Sequence, residues 1–301
     1  MLLVFLLLFV ALSIFVPNFL THRNMLGLAL SVSTVGMLAC TMLFCLASGD
    51  FDLSVEAVVA FSGVLAAVVA NATHSVLLGF AAGILAGGVV GMFNGVLIAK
   101  AGINALIVTL GMMQIVRGLG FLVSDGSAVS IEDESAYDLG MGSHMGIPNP
   151  VWYTIVCFVF FGVLLNTTTF GRDTLAIGGN RVAARLAGVP VQRVKILIFS
   201  IQGLVAGFAG VVMASRMTSG QPKSAEGLAL DVISACVLGG VSLSGGVGTI
   251  TGTIVGVLIM GTVQNVMNLL NVPTFYQYVA RGLILLAAVG FDQWRRPRPA
   301  D

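Results

Sequence analysis

Residues 76–99 decide the fold of this chain, and they read VLLGFAAGILAGGVVGMFNGVLIA. The stretch has no charged side chain and is long enough to cross a bilayer, because a transmembrane helix needs about 20 apolar residues. Gly83, Gly87, Gly91 and Gly95 recur at every fourth position, so they line one face of such a helix. Small residues on one face allow two helices in lipid to approach closely. The stretch predicts a membrane-spanning helix that packs tightly against a neighbour.

The composition of the whole chain indicates the same environment. Of its 301 residues, 57% are hydrophobic and only 9% are charged, whereas a soluble domain has about 25% charged residues. This balance excludes a soluble enzyme, a disordered chain and a nucleic-acid-binding protein with a basic face. Unbroken apolar blocks, rather than short alternating segments, also exclude a transmembrane β-barrel. We therefore predict an all-α, polytopic transmembrane bundle.

The apolar blocks are numerous enough for about ten membrane crossings. The expected spans are residues 1–16, 26–47, 55–70, 76–99, 105–123, 151–165, 196–214, 228–247, 250–271 and 275–291. Residues 1–301 are expected to form one transmembrane domain, with its main cytoplasmic loop at about residues 166–195. Met1 leads directly into apolar residues with no positive segment before them, so the first span is expected to be retained rather than cleaved as a signal peptide.

The distribution of charge predicts the orientation. Basic residues are concentrated in two segments, one between spans and one at the C-terminus, and they are Arg172, Arg181, Arg185, Arg193, Lys195, Arg295, Arg296 and Arg298. Residues 124–150 contain only acidic charges, namely Asp125, Glu132, Asp133, Glu134 and Asp138. Basic loops stay in the cytoplasm, so residues 124–150 are placed outside. With ten crossings, both termini are then cytoplasmic.

Two glycine-rich breaks interrupt the apolar pattern. Residues 47–54 read ASGDFDLS and residues 238–248 read LGGVSLSGGVG. Irregular backbone at membrane depth survives only where it is buried in protein or lines water. Asp52 or Ser54 is expected to cap the helix that follows the first break, with Glu56 favoured in its first turn by the helix dipole.

Several polar residues fall inside predicted spans and are candidates for a translocation pathway. They are Asn94, Gln114, Arg117, Gln264, Asn265, Asn268 and Asn271. Gln264, Asn268 and Asn271 have the spacing of one helix face. Amide side chains both donate and accept hydrogen bonds, which suits the hydroxyl groups of a sugar. Hydrogen bonding between helices is the alternative role. Arg117 and Asp231 are also expected to face a cavity or a charged partner.

A short motif is a candidate internal repeat, since Gln114 followed by Arg117-Gly118-Leu119 resembles Gln277 followed by Arg281-Gly282-Leu283. Many transporters consist of two related halves, and the two glycine-rich breaks are a second candidate pair for such a duplication.

Catalytic and cofactor motifs are missing from the sequence. No lysine follows a glycine, so there is no phosphate-binding loop, and neither His-Glu-x-x-His nor Gly-x-Ser-x-Gly occurs. The three histidines lie far apart and the four cysteines sit in apolar runs, which argues against a metal site. We therefore expect no catalytic, cofactor or metal site in this chain. If transport uses ATP, then ATP and Mg²⁺ bind to another subunit.

The basic loop at residues 171–190 contains a candidate docking helix. Asn180 is a good N-cap and Gly188 a good C-terminal stop, so one or two helical turns are expected between them. The residues expected to contact a cytoplasmic partner are Asn180, Arg181, Ala183, Ala184, Arg185 and Gly188. A solvated basic connector is the alternative.

This loop and the breaks resemble a known family. Ala183-Ala184 followed by Gly188 resembles the coupling-helix motif of binding-protein-dependent ABC importer permeases, although Arg-Val replaces the usual leading Glu. The break at 48–54, Gly178-Gly179-Asn180 and the stretch 238–243 resemble the ribose/xylose/arabinose/galactose permease family. Finer matches resemble its members that carry L-arabinose, and these lie at residues 44–47, 131–135, 214–222 and 267–271.

The resemblance implies a multi-pass permease of the bacterial inner membrane that imports a monosaccharide, L-arabinose before ribose, xylose or galactose. It implies a homodimer surrounded by membrane lipid, with no nucleic acid among its partners. A cytoplasmic ATPase would dock under residues 171–195, and a periplasmic sugar-binding protein would dock near residues 124–150 and 215–227.

Three alternatives remain open at this point. An ion-driven secondary sugar transporter would need a membrane-embedded carboxylate, for which Asp231 is the candidate. A passive channel or a structural membrane subunit is a second alternative. A branched-chain amino-acid permease shares the architecture, but the sugar-type breaks at 48–54 and 238–243 argue against it.

Overall fold

The computed structural model describes residues 1–295, with the side chains of Ala288 and of residues 291–295 left out. Within this part the chain forms thirteen α-helices. Their bounds are α1 Leu2–Phe15, α2 His22–Ala47, α3 Val55–Thr73, α4 Val76–Ala99, α5 Ala105–Val123, α6 Asp138–Met141, α7 Asn149–Thr167, α8 Thr169–Gly179, α9 Arg181–Leu186, α10 Val191–Arg216, α11 Leu228–Leu238, α12 Ile250–Leu269 and α13 Thr274–Arg295. Arg296 and Arg298, on which the predicted orientation partly rests, lie outside the described residues.

Short strands and one 3₁₀ turn complete the secondary structure of the described chain. The strands are β1 Val129–Ser130, β2 Ser143–His144, β3 Ile147–Pro148 and β4 Ser219–Gly220, and the turn is Glu134–Tyr137. Strand β1 pairs antiparallel with β4, and β2 pairs antiparallel with β3. These elements belong to connections between helices, so the fold is a helical bundle as predicted.

Seven of the described helices are long and apolar enough to cross a membrane, namely α2, α3, α4, α5, α7, α10 and α12. This confirms a polytopic membrane protein. Helices α1 and α11 are apolar but shorter. Nine of the ten expected spans coincide with a described helix over most or all of their length, while the number of crossings stays a prediction.

One expected span is wrong in its length. Residues 228–247 were expected to cross as one helix, but α11 ends at Leu238. The chain then turns through Gly240, Gly245 and Gly246, all with φ between 77° and 88°. Side chains other than glycine rarely adopt this left-handed conformation, so the glycines of the second break end the helix early.

The glycine face of α4 packs directly on α10. A Cβ placed on Gly91 would collide with the carbonyl oxygen of Phe199, and one on Gly203 would collide with that of Gly87. Gly87 also faces Gly207, where a Cβ would come within 2.8 Å of the Cα. The backbones of α4 and α10 are therefore in contact, as the glycines at every fourth position predicted.

The two glycine-rich breaks meet at one end of the bundle. The N–H of Gly246 donates to the carbonyl oxygen of Ala47 at 2.9 Å. Gly178 of α8 lies against both breaks, since a Cβ built on it would collide with the carbonyl oxygen of Ala47 and with the backbone nitrogen of Gly246. Beside them, Lys195 Nζ of α10 lies 2.6 Å from Asp50 Oδ2, and both side chains are buried. We call this group, residues 47–54, 239–249, Gly178 and Lys195, the break junction.

The expected cap of α3 is right in its position but not in its bonding. Ser54 occupies the N-cap position and Glu56 lies in the first turn, but neither Asp52 nor Ser54 makes a side-chain cap hydrogen bond. Instead, Asp52 Oδ1 accepts hydrogen bonds from the N–H of Ser54 at 2.9 Å and from its hydroxyl at 2.6 Å. The Ser54 hydroxyl in turn accepts from Asn94 Nδ2 at 2.9 Å. These hydrogen bonds thus attach the first break to α4. They are contacts between helices, which rules for helix capping do not predict.

Candidate functional site

Helix α9 is a short, doubly capped helix in the basic loop. Asn180 Oδ1 accepts hydrogen bonds from the N–H groups of Val182 and Ala183, both at 3.0 Å. At the other end, Gly188 has φ 87° and donates its N–H to the carbonyl oxygen of Arg185 at 3.1 Å. Both predicted helix signals are confirmed, because Asn180 satisfies free N–H groups at the start and Gly188 takes the left-handed turn at the end.

The orientation of α9 differs from the expectation at one residue. Ala184 was expected among the residues that contact a partner, but its side chain is only 5% exposed and packs into the hydrophobic core. The N–H of Val189 bonds to the Ala184 carbonyl oxygen at 3.0 Å and turns the chain back over this face. Ala184 therefore anchors α9 to the bundle, whereas Ala183, one position earlier, is exposed.

The free face of α9 carries two apolar side chains that were not among the predicted contact residues. Val182 is 69% exposed and Leu186 is 84% exposed. The two lie four positions apart and thus on one side of the helix. Their spacing in an otherwise polar loop was the signal that could have revealed them.

Arginine side chains flank this apolar face. Arg181, Arg185 and Arg193 line a surface cavity of about 290 Å³ together with residues 189–192. None of the three forms an ion pair within the described part of the chain. We call Arg181, Val182, Ala183, Arg185, Leu186 and Arg193 the coupling surface. Its chemistry suits a partner that offers an apolar groove bordered by carboxylates.

Two of the polar residues of α12 bond to neighbouring helices. The amide groups of Asn265 and Asn24 exchange hydrogen bonds at 2.9 and 3.0 Å, which links α12 to α2. Asn268 Oδ1 accepts from Gln277 Nε2 of α13 at 3.0 Å. Asn271 lies beyond the end of α12 with φ 53°, so the one-face spacing predicted for it does not apply. Bonding between helices, the alternative role, accounts for the geometry of Asn265 and Asn268.

The candidates on α4 and α5 lie in different surroundings. Asn94 is fully buried and binds Ser54 at the first break. Gln114 is exposed on α5, one turn before Arg117. Gln264 of α12 lines a small cavity together with Asp231. Which of the seven candidates line a translocation pathway stays a prediction.

Arg117 instead belongs to a cluster of charges inside the bundle. Its Nη2 lies 2.5 Å from Glu56 Oε1. Glu56 Oε2 accepts from the N–H of Gly227 at 3.0 Å, where α11 starts. Four residues further, Asp231 Oδ2 lies 3.1 Å from Arg281 Nη1 of α13. We call Glu56, Arg117, Asp231 and Arg281 the charge cluster.

For two members of the charge cluster, Arg117 and Asp231, the sequence predicts a cavity or a charged partner. Their partners, Glu56 and Arg281, were not predicted. The repeated Arg-Gly-Leu motif contained Arg281 and was the available signal for it. Nothing local in the sequence pairs Glu56 with Arg117, because they lie on separate helices.

Residues 124–150 and 215–227 fold together at the opposite end from α9. Strand β1 pairs with β4, and Ser215 Oγ accepts from the Gly140 N–H at 2.7 Å while it donates to the Ala136 carbonyl oxygen at 2.5 Å. The acidic residues Glu132, Asp133 and Glu134 are exposed on this unit. Hydrogen bonds from Ser135 hold the pKa of Asp133 below its usual value. We call the two segments together the outer cap.

Comparison with known proteins now gives the family. The sequence model of the family described as branched-chain amino acid transport system / permease component matches residues 24–289. The chain belongs to this permease family. The permease is 63% identical over 293 residues to the L-arabinose ABC transporter permease protein AraH of Azospirillum brasilense, covering 97% of this chain and 86% of that protein.

Two further relatives place the permease within the family. The L-arabinose transport system permease protein AraH of Escherichia coli K12 is 62% identical over 296 residues, covering 98% of this chain and 90% of that protein. The ribose import permease protein RbsC of Bacillus subtilis 168 is 42% identical over 283 residues, covering 93% and 88% respectively. No solved structure matches the chain.

Proposed function

We propose that this chain is the membrane subunit of an ATP-driven importer that carries L-arabinose across the bacterial inner membrane. The observation that supports this sugar is the difference in identity. Two relatives named for L-arabinose are 62% and 63% identical over nearly the whole chain, whereas the ribose permease of Bacillus subtilis is 42% identical. The chain is not itself an enzyme, since its relatives are permease subunits.

The cytoplasmic partner in this proposal is an ATPase subunit that binds at the coupling surface. Val182 and Leu186 enter an apolar groove of the ATPase, while Arg181 and Arg185 meet acidic residues at its rim. Ala184 holds α9 against the bundle, so movement of the ATPase is passed to α8 and α10. ATP and Mg²⁺ bind to the ATPase and not to this chain.

The outer partner is a periplasmic sugar-binding protein that docks on the outer cap. The exposed acidic residues of the outer cap suit a basic surface on that protein. Two copies of the permease form a homodimer within the lipid. With ten crossings and both termini cytoplasmic, the coupling surface and the outer cap lie on opposite sides of the membrane.

The mechanism in this proposal is alternating access. ATP binding and hydrolysis below the membrane shift the helices that carry the coupling surface, and the sugar released by the binding protein passes through the dimer. The break junction joins α8 and α10 to both glycine-rich breaks, so it is positioned to transmit this shift into the bundle.

The sugar is tested by uptake in a bacterial strain that lacks its own pentose importers and expresses the complete transporter. Radiolabelled L-arabinose, ribose, xylose and galactose are compared at the same concentration. We expect uptake of L-arabinose to exceed that of the other three sugars by about tenfold or more, the factor that one good hydrogen bond gives. Equal or preferred uptake of another of these sugars would overturn the assignment to L-arabinose.

A further inference from the structure

The two ion pairs of the charge cluster form a single group around the start of α11. Glu56 holds Arg117 with one carboxylate oxygen and the N–H of Gly227 with the other. Arg281 lies near the same glycine, because a Cβ built on Gly227 would be 3.8 Å from Arg281 Nη1. Arg281 in turn binds Asp231. Two positive and two negative side chains therefore surround one glycine.

The two pairs occupy corresponding positions in two similar sets of helices. Glu56 follows Leu53-Ser54-Val55 in the first turn of α3, and Asp231 follows Leu228-Ala229-Leu230 in the first turn of α11. Their partners both open an Arg-Gly-Leu motif, on α5 and α13 respectively. The chain thus builds the same acid–arginine pair twice and places both copies together.

The charge cluster lies deep within the bundle along the helix axes. Arg117 is twelve positions after the start of α5 at Ala105, which corresponds to about 18 Å along the helix. Arg281 is seven positions after the start of α13 at Thr274, or about 10 Å. Arg117 is also six positions, about 9 Å, before the end of α5 at Val123. Both arginines therefore lie more than one helical turn inside their helices.

The arginines are nevertheless partly open. The side chain of Arg117 is 29% exposed and that of Arg281 is 25% exposed, while their acidic partners are nearly buried. Among the side chains that the structure describes, Arg281 Nε is itself buried and has no hydrogen-bond partner, so the exposed part of this side chain lies elsewhere on the guanidinium group or its stem. A guanidinium group that faces hydrocarbon is costly, so the open side of an intramembrane arginine faces water or a polar ligand. Gln114, one turn before Arg117 on α5, is also exposed and adds an amide group beside the guanidinium.

We infer that the charge cluster is a binding site for a neutral, hydroxyl-rich ligand, and this inference rests on the proposed function, in which that ligand is the sugar in transit. The two charges of each sign balance, so the site holds no excess charge for an ion. Guanidinium groups donate and carboxylates accept, and a sugar hydroxyl does both. Hydrogen bonds to charged groups are stronger than those between neutral groups. Two acid–arginine pairs side by side can therefore bind a ring that carries hydroxyls on several carbons.

The test uses the reconstituted complex of permease, ATPase and binding protein with Arg117→Gln and Arg281→Gln, singly and together. Loss of one charged hydrogen bond should lower L-arabinose uptake by about tenfold, and loss of both should lower it further. ATP hydrolysis stimulated by the loaded binding protein should stay near the wild-type rate, because the coupling surface is unchanged. Arg117→Lys and Arg281→Lys, which keep a charged donor, should restore part of the uptake.

A direct binding measurement separates the site from a purely structural ion pair. Saturation-transfer NMR of L-arabinose is recorded on the permease–ATPase complex without binding protein. We expect the sugar signal to be lost in the double glutamine variant and kept in the control Arg23→Gln with Lys100→Gln, which removes two exposed positive charges outside the charge cluster. If the double variant keeps both the sugar signal and uptake, or if uptake and stimulated hydrolysis fall together in it, the inference is wrong.

The failure of this inference is distinguishable from the failure of the proposed function. A wild-type complex that takes up no L-arabinose contradicts the proposed function. A wild-type complex that imports the sugar, while its arginine variants import it equally well, contradicts the binding site alone.

Discussion

At the scale of single residues, the side chains that define the coupling surface differ from those that a motif suggests. Ala184 matches the motif but is buried, whereas Val182 and Leu186, which the motif does not specify, are exposed. A short helix that lies on a bundle must turn one face inward, and small residues such as Ala184 suit that face. The exposed apolar side chains then become the contacts for a partner.

Leu186→Asp should therefore weaken binding of the ATPase without lowering the amount of permease in the membrane. A carboxylate brought into an apolar groove loses water without gaining a partner, which costs several kcal/mol. Affinity capture of the ATPase by tagged permease measures the effect. Met145→Asp is the matched control, since Met145 is equally exposed but lies on the outer cap. Equal recovery of ATPase with both variants would contradict the assignment of the coupling surface.

Gly188→Val should loosen α9 for a different reason. Gly188 has φ 87°, and a side chain in the left-handed conformation costs about 1–2 kcal/mol, more when it is β-branched. Limited proteolysis of the cytoplasmic side should cut this variant faster than wild type near residues 180–190. Gly179→Ala serves as the control, because a Cβ there meets no atom within 4 Å and no left-handed φ is required. Identical cleavage of both variants would show that the end of α9 does not depend on glycine.

At the scale of elements, the tightest interface of the bundle is that between α4 and α10. Its glycines place backbone against backbone, which compensates for the weak hydrophobic driving force between helices in lipid. The same device recurs in α12, where Gly256 lies against the carbonyl oxygen of Ala235 in α11. The positions of these glycines therefore largely determine how closely these helices approach one another.

Gly91→Leu should reduce the folded permease recovered from membranes, since the side chain would collide with the carbonyl oxygen of Phe199 and lie within 3 Å of the Gly203 Cα. Overpacking typically costs about 1–3 kcal/mol, and a rigid backbone contact leaves no side chain that can move aside. Thermal stability in detergent is the measurement. Gly27→Leu on α2, where a Cβ meets no atom within 4 Å, should behave like wild type. If both variants melt together, the glycine face does not determine packing.

How far the sequence predicts this structure depends on whether a feature is local. The positions of α4 and α9 follow from apolar runs, Asn180 and Gly188, all of which act on their own stretch of chain. The hydrogen bonds of Ser54 do not follow in this way, because its hydroxyl accepts from Asn94 of α4 while Asp52 only orients Ser54. The partners of Arg117 and Asp231 depend on which helices become neighbours, and one sequence does not specify that.

At the scale of the whole molecule, the account depends on the coupling surface and the outer cap lying on opposite sides of the membrane. An alkaline phosphatase fusion after residue 145 should be active, because that enzyme folds only in the periplasm, where disulfides form. A fusion within residues 172–193 should be inactive there, while a cytoplasmic reporter at the same site should be active. The reverse pattern would place both surfaces on the wrong sides.

The central claim, that ATP drives sugar import through this permease, is tested most directly in proteoliposomes. They contain the permease and its ATPase, with sugar-loaded binding protein on the outer side and ATP and Mg²⁺ on the side of the coupling surface. The account predicts that L-arabinose accumulates only when ATP, ATPase and binding protein are all present, and that a protonophore or sodium ionophore leaves the rate unchanged. Accumulation by the permease alone, driven by an ion gradient and abolished by the ionophore, would contradict it.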